Sequence, residues 1–159
     1  MKCKILVTGG SGLIGRAVSE RLHQAGHDVI ALGDKGVYKK DPVRVDLTDI
    51  GSVRRYREVV GEFDVIVHCA ALAHGQVPPS GANVGDVNSL MLRNLLSAFR
   101  RKSTHWLFMS SVSVYGVYAN EGKVDVFTAP NPADDYGAGK LRDEATILSN
   151  RAHVDVLRL

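Results

Sequence analysis

Residues 4–16, KILVTGGSGLIGR, contain the pattern that decides the fold of this chain. Ile5–Val7 is a short aliphatic run of the kind that forms a buried strand. Gly10, Gly12 and Gly15 then satisfy the spacing G-x-G-x-x-G, and a helical periodicity begins. Such glycines allow a tight strand-to-helix turn, a close approach of backbone to a pyrophosphate, and close packing of helix on strand. A strand before the glycines and a helix after them favour a dinucleotide-binding turn over an ordinary glycine turn.

The same alternation of strand and helix continues along the chain. Apolar runs predict strands at residues 5–7, 29–32, 43–45, 63–68, 106–109 and 154–157, with helices of 12–18 residues between most of them. Alternation of this kind is typical of a parallel sheet covered by helices on both faces. We therefore predict one α/β domain over residues 1–159, a doubly wound Rossmann-type sheet of about six strands in a three-layer α/β/α arrangement. Ligands of such sheets bind at the carboxyl ends of the strands.

Composition narrows the class of protein. The net charge of +3 comes from short basic clusters spread along the chain, so we expect no nucleic-acid partner. The two cysteines, Cys3 and Cys69, lie in apolar runs, which predicts buried thiols rather than a disulfide or a metal site. No apolar run is suited to span a membrane. These features predict a cytoplasmic protein with no membrane partner and no metal.

Two acidic residues follow predicted strands and are candidates for cofactor contacts. Asp34 lies 19 residues after Gly15, where a dinucleotide fold places the acid that binds the adenosine ribose. A carboxylate there favours NAD, but the nearby Lys35 and Lys39 keep NADP open; Asp34 as a plain turn residue is the alternative. Asp46 could contact the adenine from a strand end, or belong to the cap of the next helix. The spacing alone does not separate these two roles.

Three residues further along could carry chemistry. Tyr136 and Lys140 are four residues apart, so on a helix they share one face. A neighbouring ammonium would lower the pKa of a tyrosine toward neutrality, and Ser111 could orient a substrate oxygen beside the phenol. Together they could move a proton while a nicotinamide moves a hydride. The plainer interpretation is a solvated pair of helix residues, but the glycine pattern and the serine at a strand end favour the chemical one.

The ordered set of motifs resembles a known family. TGGSGLIG (8–15), DLTD (46–49), VHCAA (67–71), SSVSVYG (110–116) and YGAGK (136–140) are similar to those of the extended short-chain dehydrogenases/reductases, in particular the NAD-dependent epimerase/dehydratase group that modifies nucleotide sugars. The resemblance implies a nucleotide-sugar substrate, a homodimer, Tyr136 as acid/base, Ser111 as its catalytic partner and Lys140 as the residue that binds the nicotinamide ribose and tunes Tyr136. It implies contacts of the cofactor with Gly9, Gly12, Leu13, Ile14, Gly15, Asp34, Asp46, Leu47, Cys69, Ala70, Ala71, Tyr136 and Lys140.

Two departures from the family pattern affect these expectations. Gly33 separates the second strand from Asp34, whereas the family has the acid directly after the strand. The family also has a smaller C-terminal domain that binds the sugar, and we expect this chain, which ends at Leu159, to lack it. The alternative function is a non-catalytic NAD(H)-binding module or an inactive remnant. Asn88 and Asn94, on a predicted helix, are candidates for polar contacts, although helical asparagines more often lie at the surface.

Overall fold

The computed structural model of the chain describes residues 1–33, 45–73, 76, 78, 81–117, 124, 125 and 127–159. The strands in these residues are β1 (Lys4–Thr8), β2 (Asp28–Leu32), β3 (Val65–His68), β4 (His105–Ser110) and β5 (Val154–Arg158). The helices are α1 (Leu13–Gln24), α2 (Ile50–Val60), α3 (Val84–Ala98) and α4 (Asp135–Asn150), and a 3-10 helix covers Val112–Tyr115.

The five strands form one parallel sheet in the order β2-β1-β3-β4-β5. The chain therefore leaves β1 in one direction for β2 and returns past it to β3, which makes the edge between β1 and β3 the switch point where ligands of such sheets bind. The prediction of a doubly wound Rossmann-type sheet is confirmed. Of the predicted strand at 43–45, residues 43 and 44 lie outside the described residues, and Val45 is not in a strand.

Helices pack on both faces of the sheet, as the three-layer prediction requires. Leu6 of β1 and Trp106 of β4 belong to a large core with side chains of α2, α3 and α4. Ile5 and Val7, which point the other way along β1, belong to a second core that includes residues of α1. Cys3 and Cys69 border this second core as free thiols, and both are partly buried where the sequence predicted burial.

Helices α3 and α4 approach each other at a pair of glycines. A Cβ atom on Gly139 would lie 2.5 Å from the Cα atom of Gly85, closer than any side chain allows. Asn83 caps the start of α3, and Asp134 caps the start of α4. The close crossing fixes α4, which carries Tyr136 and Lys140, against α3.

Among the described residues, the model contains no helix that combines the length and the apolar character needed to cross a bilayer. In the same part of the chain, no group of three or more His, Cys, Asp and Glu side chains is placed to hold a metal ion.

Candidate active site

The glycine turn between β1 and α1 has three positions with different tasks. Gly9 has a φ of +70°, and a Cβ atom there would lie 2.7 Å from the backbone nitrogen of Ala70. A Cβ atom on Gly15 would lie 2.2 Å from the carbonyl oxygen of Gly9, so Gly15 lets α1 pack onto the turn. Gly12 is the N-cap residue of α1. A Cβ atom there would meet only the carbonyl oxygen of Gly9, at 3.2 Å, and the space on its other side is open. Gly12 is thus the position where a ligand can approach the backbone.

A cavity of about 620 Å³ opens beside this turn, between the ends of β1, β2 and β3. Seven of the predicted cofactor residues line it: Gly9, Gly12, Asp46, Leu47, Cys69, Ala70 and Ala71. An open glycine backbone at a helix start, facing such a cavity, is the cradle that a pyrophosphate needs. The described residues therefore fit a dinucleotide.

Five of the other predicted cofactor contacts do not line the cavity: Leu13, Ile14, Gly15, Tyr136 and Lys140. Gly15 is buried under the turn and does not line the cavity, so its effect on a ligand would be indirect. Leu13 and Ile14 are exposed in the first turn of α1 and do not line the cavity either. Asp34 lies outside the described residues.

The turn that begins at Val45 shows which residue caps α2. The N-cap of α2 is Asp49, whose carboxylate accepts hydrogen bonds from the backbone nitrogens of Gly51 and Ser52 at 2.8 and 3.1 Å. Asp46 instead lines the cavity, and its Oδ1 accepts hydrogen bonds from the backbone nitrogen and the hydroxyl of Thr48. Asp46 is therefore placed at the cavity, with its carboxylate oriented by Thr48.

Ser111, Tyr136 and Lys140 come together at the ends of β4 and α4. The Ser111 side chain hydrogen-bonds Tyr136, which lies in the first turn of α4 and is half-buried. The Lys140 side chain is buried, and its Nζ lies 5.9 Å from the centre of the Tyr136 ring. The same Nζ donates a hydrogen bond to the carbonyl oxygen of Met109 at 2.7 Å and lies 4.8 Å from the centre of the Phe108 ring.

The pKa of Tyr136 departs from the expectation. Burial raises the pKa of the phenol above its usual value, the hydrogen bond from Ser111 opposes this, and the charge of Asp134 adds to the increase. The prediction that Lys140 lowers this pKa toward neutrality is wrong for this arrangement. The ammonium of Lys140 points toward the Met109 carbonyl and the Phe108 ring, and burial lowers the pKa of Lys140 itself. At neutral pH the phenol therefore keeps its proton and can donate it.

Electrostatic interactions connect this cluster to the cavity. Lys140 acts on the pKa of Cys69, which lines the cavity; burial nevertheless raises the pKa of that thiol to about 11. Lys140 also acts on His68, whose pKa is lowered to about 3, mainly by burial. The adjacent positions of β3 and β4 in the sheet explain this proximity, because their carboxyl ends lie side by side. The Ser111, Tyr136 and Lys140 cluster thus lies at the strand end next to Cys69, which lines the cavity, although none of the three residues lines the cavity itself.

Sequence reasoning missed the buried contacts behind the cluster. Glu144 accepts a hydrogen bond from Ser110 at 2.5 Å and is bound by two nitrogens of Arg158, at 2.9 and 2.7 Å. Arg158 also donates to the hydroxyl of Tyr115 at 2.6 Å. Glu144 lies eight residues after Tyr136, on the same helix, but the sequence offers no sign that its partners come from β4 and β5.

A parallel sheet with a glycine cradle at its switch point, a cavity beside it and a serine–tyrosine–lysine cluster at the neighbouring strand end defines a Rossmann-type dinucleotide-binding domain. Comparison with known proteins agrees with this class. The model of the NAD dependent epimerase/dehydratase family matches residues 5–156. The chain belongs to this family, and the prediction of an NAD cofactor, with NADP as the alternative, is confirmed at the level of the family.

Individual relatives are of several kinds. The chain is 27% identical to dTDP-4-dehydrorhamnose reductase of Mycolicibacterium smegmatis, over 99% of this chain and 45% of that protein. It is 30% identical to methionine adenosyltransferase 2 subunit beta of Bos taurus, over 98% of this chain and 46% of that protein. The structure of Thermus thermophilus UDP-glucose 4-epimerase in complex with NAD superimposes with a TM-score of 0.80 at 26% identity, over 98% of this chain and 54% of that one. The chain spans about half the length of the curated relatives it matches.

Proposed function

We propose that this chain is the NAD(P)-binding, catalytic half of a nucleotide-sugar epimerase, dehydratase or 4-ketoreductase. The observation that carries the proposal is the position of the Ser111, Tyr136 and Lys140 cluster at the strand end next to a cavity with a glycine cradle. Relatives named as a sugar-nucleotide reductase and a UDP-glucose epimerase support the substrate class.

Each part of the site has a task in this proposal. The open side of Gly12 receives the pyrophosphate, and the cavity between Leu47 and Ala70 receives the adenosine. The bound nicotinamide supplies or accepts a hydride at a sugar carbon. Tyr136, protonated at neutral pH, gives its proton to the oxygen on that carbon when the carbonyl is reduced and takes it back in the reverse direction. Ser111 holds the same oxygen, and Lys140 binds the nicotinamide ribose.

A binding experiment tests the cofactor half of the proposal. Titration of NAD and NADP into the chain by calorimetry should show saturable binding, and Gly12→Val should weaken it at least tenfold, because the side chain fills the open side of the turn. Ala17→Val is the matched control, since Ala17 is exposed on the same helix. Parent protein that binds neither cofactor, or Gly12→Val that binds as the parent does, would contradict the assignment.

A turnover experiment separates the two functions considered. The chain is incubated with NAD(H) and a panel of UDP- and dTDP-sugars. The absorbance of NADH measures net reduction of a sugar, and chromatography of the sugars measures epimerisation and dehydration, which return the hydride to the product and consume no NADH. Turnover that is lost in Tyr136→Phe, with the affinity for NAD within twofold of the parent, supports catalysis. Cofactor binding without turnover supports the alternative, a non-catalytic NAD(H)-binding module, which is favoured by the bovine relative's name as a subunit of an adenosyltransferase.

A further inference from the structure

Helix α3 carries three neighbouring residues, Asn88, Met91 and Asn94, beside the proposed adenosine cavity. Met91 is three residues from each asparagine, so it is the neighbour of both on the helix surface. Met91 lines the cavity itself, between the two asparagines. Both asparagines are buried, with 4% and 7% of their surface exposed. Buried amides in a helix need partners outside it, and each of these binds a different wall of the cavity.

Asn94 binds the wall that contains Asp46 and Leu47. Its Nδ2 donates a hydrogen bond to the carbonyl oxygen of Leu47 at 2.9 Å, in a buried position. Other hydrogen bonds of this turn are local: Asp46 with Thr48, and the backbone nitrogen of Asp46 with Ser52. The Asn94 contact spans 47 residues of sequence and is the one among these that ties the turn to another part of the molecule.

Asn88 binds the opposite wall. Its Oδ1 accepts a hydrogen bond from the backbone nitrogen of Leu72 at 2.7 Å, and its Nδ2 donates to the carbonyl oxygen of Leu72 at 3.0 Å. Asn88 and Asn94 are six residues apart, which corresponds to about 9 Å along a helix. One rigid element therefore holds both walls at a fixed separation.

We infer that Asn94 is a positioning residue for the adenine of the cofactor. It holds the Leu47 carbonyl toward the core, and this fixes the orientation in which Asp46 and Leu47 meet the edge of the adenine ring. The inference rests on the proposed function, since it assumes that the cavity receives the adenosine. Loss of the amide leaves Leu47 buried without this donor and lets the turn rotate, while the glycine cradle stays intact.

Calorimetric affinities of the full chain for NAD and for deamino-NAD test this role. Deamino-NAD carries hypoxanthine in place of adenine. The dissociation constant for deamino-NAD divided by that for NAD therefore measures how strongly the protein distinguishes the edge of the base. Asn94→Leu, which is close in size, should weaken NAD binding about three- to tenfold and bring the ratio toward one, because one buried hydrogen bond is lost. Asn150→Ala, an exposed helical asparagine, is the control and should leave both values unchanged.

The outcomes separate this inference from the proposed function. A parent that binds no dinucleotide overturns the proposed function. A parent that binds NAD but does not distinguish it from deamino-NAD, or an Asn94→Leu protein that keeps the parent's ratio, overturns the role of Asn94 alone. If Asn94→Leu does not fold, Asn94→Ser, which keeps a shorter donor, takes its place. Its ratio must fall below that of the parent, and an unchanged ratio overturns the inference.

Discussion

Replacement of His68 by asparagine should reduce the free energy of unfolding that the protein loses in mild acid. His68 ends β3, and its Nδ1 lies 2.7 Å from the hydroxyl oxygen of Thr8 in a fully buried position. That hydroxyl oxygen accepts the Ala70 backbone N–H at 3.2 Å, so its own proton is available to Nδ1. The imidazole stacks on Phe108 and is near Lys140. Burial, the hydroxyl donor and the charge of Lys140 all favour the neutral ring.

The direction and the size of this loss follow from the lowered pKa of His68. Burial first, and the charge of Lys140 second, lower the pKa of His68 from 6.5 to about 3. The unfolded chain therefore binds a proton on His68 near pH 6.5, whereas the folded chain binds it only near pH 3. Stability is full above pH 6.5 and falls as the pH decreases through this window. At about 1.4 kcal/mol per pH unit, the loss from pH 7 to pH 5 is roughly 2 kcal/mol.

Urea unfolding at pH 7 and pH 5 measures this loss. The parent should lose roughly 2 kcal/mol more than His68→Asn over this interval, although the variant is less stable at pH 7 because it loses the stacking on Phe108. His23→Asn, an exposed histidine on α1, is the control and should lose as much as the parent. The comparison between variants removes the contribution of the carboxylates, such as Asp143, whose pKa is raised by burial. Equal losses in the parent and His68→Asn would refute the reasoning.

Three further predictions concern stability and ligand linkage. Gly15→Ala should lower the free energy of unfolding, measured in urea, by about 1–3 kcal/mol. The clash of the new Cβ atom with the Gly9 carbonyl exceeds the gain in helix propensity of about 1 kcal/mol. A variant more stable than the parent would contradict the packing described. Glu144→Gln should cost roughly 3 kcal/mol, because it leaves the Arg158 guanidinium without its charged partner; a urea midpoint equal to the parent's would show that the pair contributes nothing. NAD at 100 times its dissociation constant should raise the free energy of unfolding of the parent by about 2.7 kcal/mol and that of Gly12→Val by much less, measured by thermal unfolding.

The sequence predicted the features that depend on local pattern. The strand–glycine–helix order at residues 4–16 and the alternation that follows it specify the parallel sheet, and the residues that end its strands do meet at one edge. Helix α3 ends at Ala98, because Phe99 takes an extended conformation and its side chain enters the core.

Long-range contacts explain what the sequence could not show. The spacing of Tyr136 and Lys140 revealed that they share a helix face, but not that Lys140 is buried and turned toward Met109. The direction of the Tyr136 pKa depends on that burial. In the same way, the sequence offers Asn94 as a candidate for a polar contact, but only the fold shows that its partner is Leu47.

The position of β1 has a consequence for the order of folding. Ile5 pairs with Val65, 60 residues away in sequence, and Gly9 reaches its final shape against Ala70, which follows β3. Pairing at such a separation forms late, because a long stretch of chain must lose its freedom first. The phosphate cradle is therefore completed only once β3 has docked beside β1. A dinucleotide added to the refolding chain should leave the refolding rate unchanged and slow the rate of unfolding.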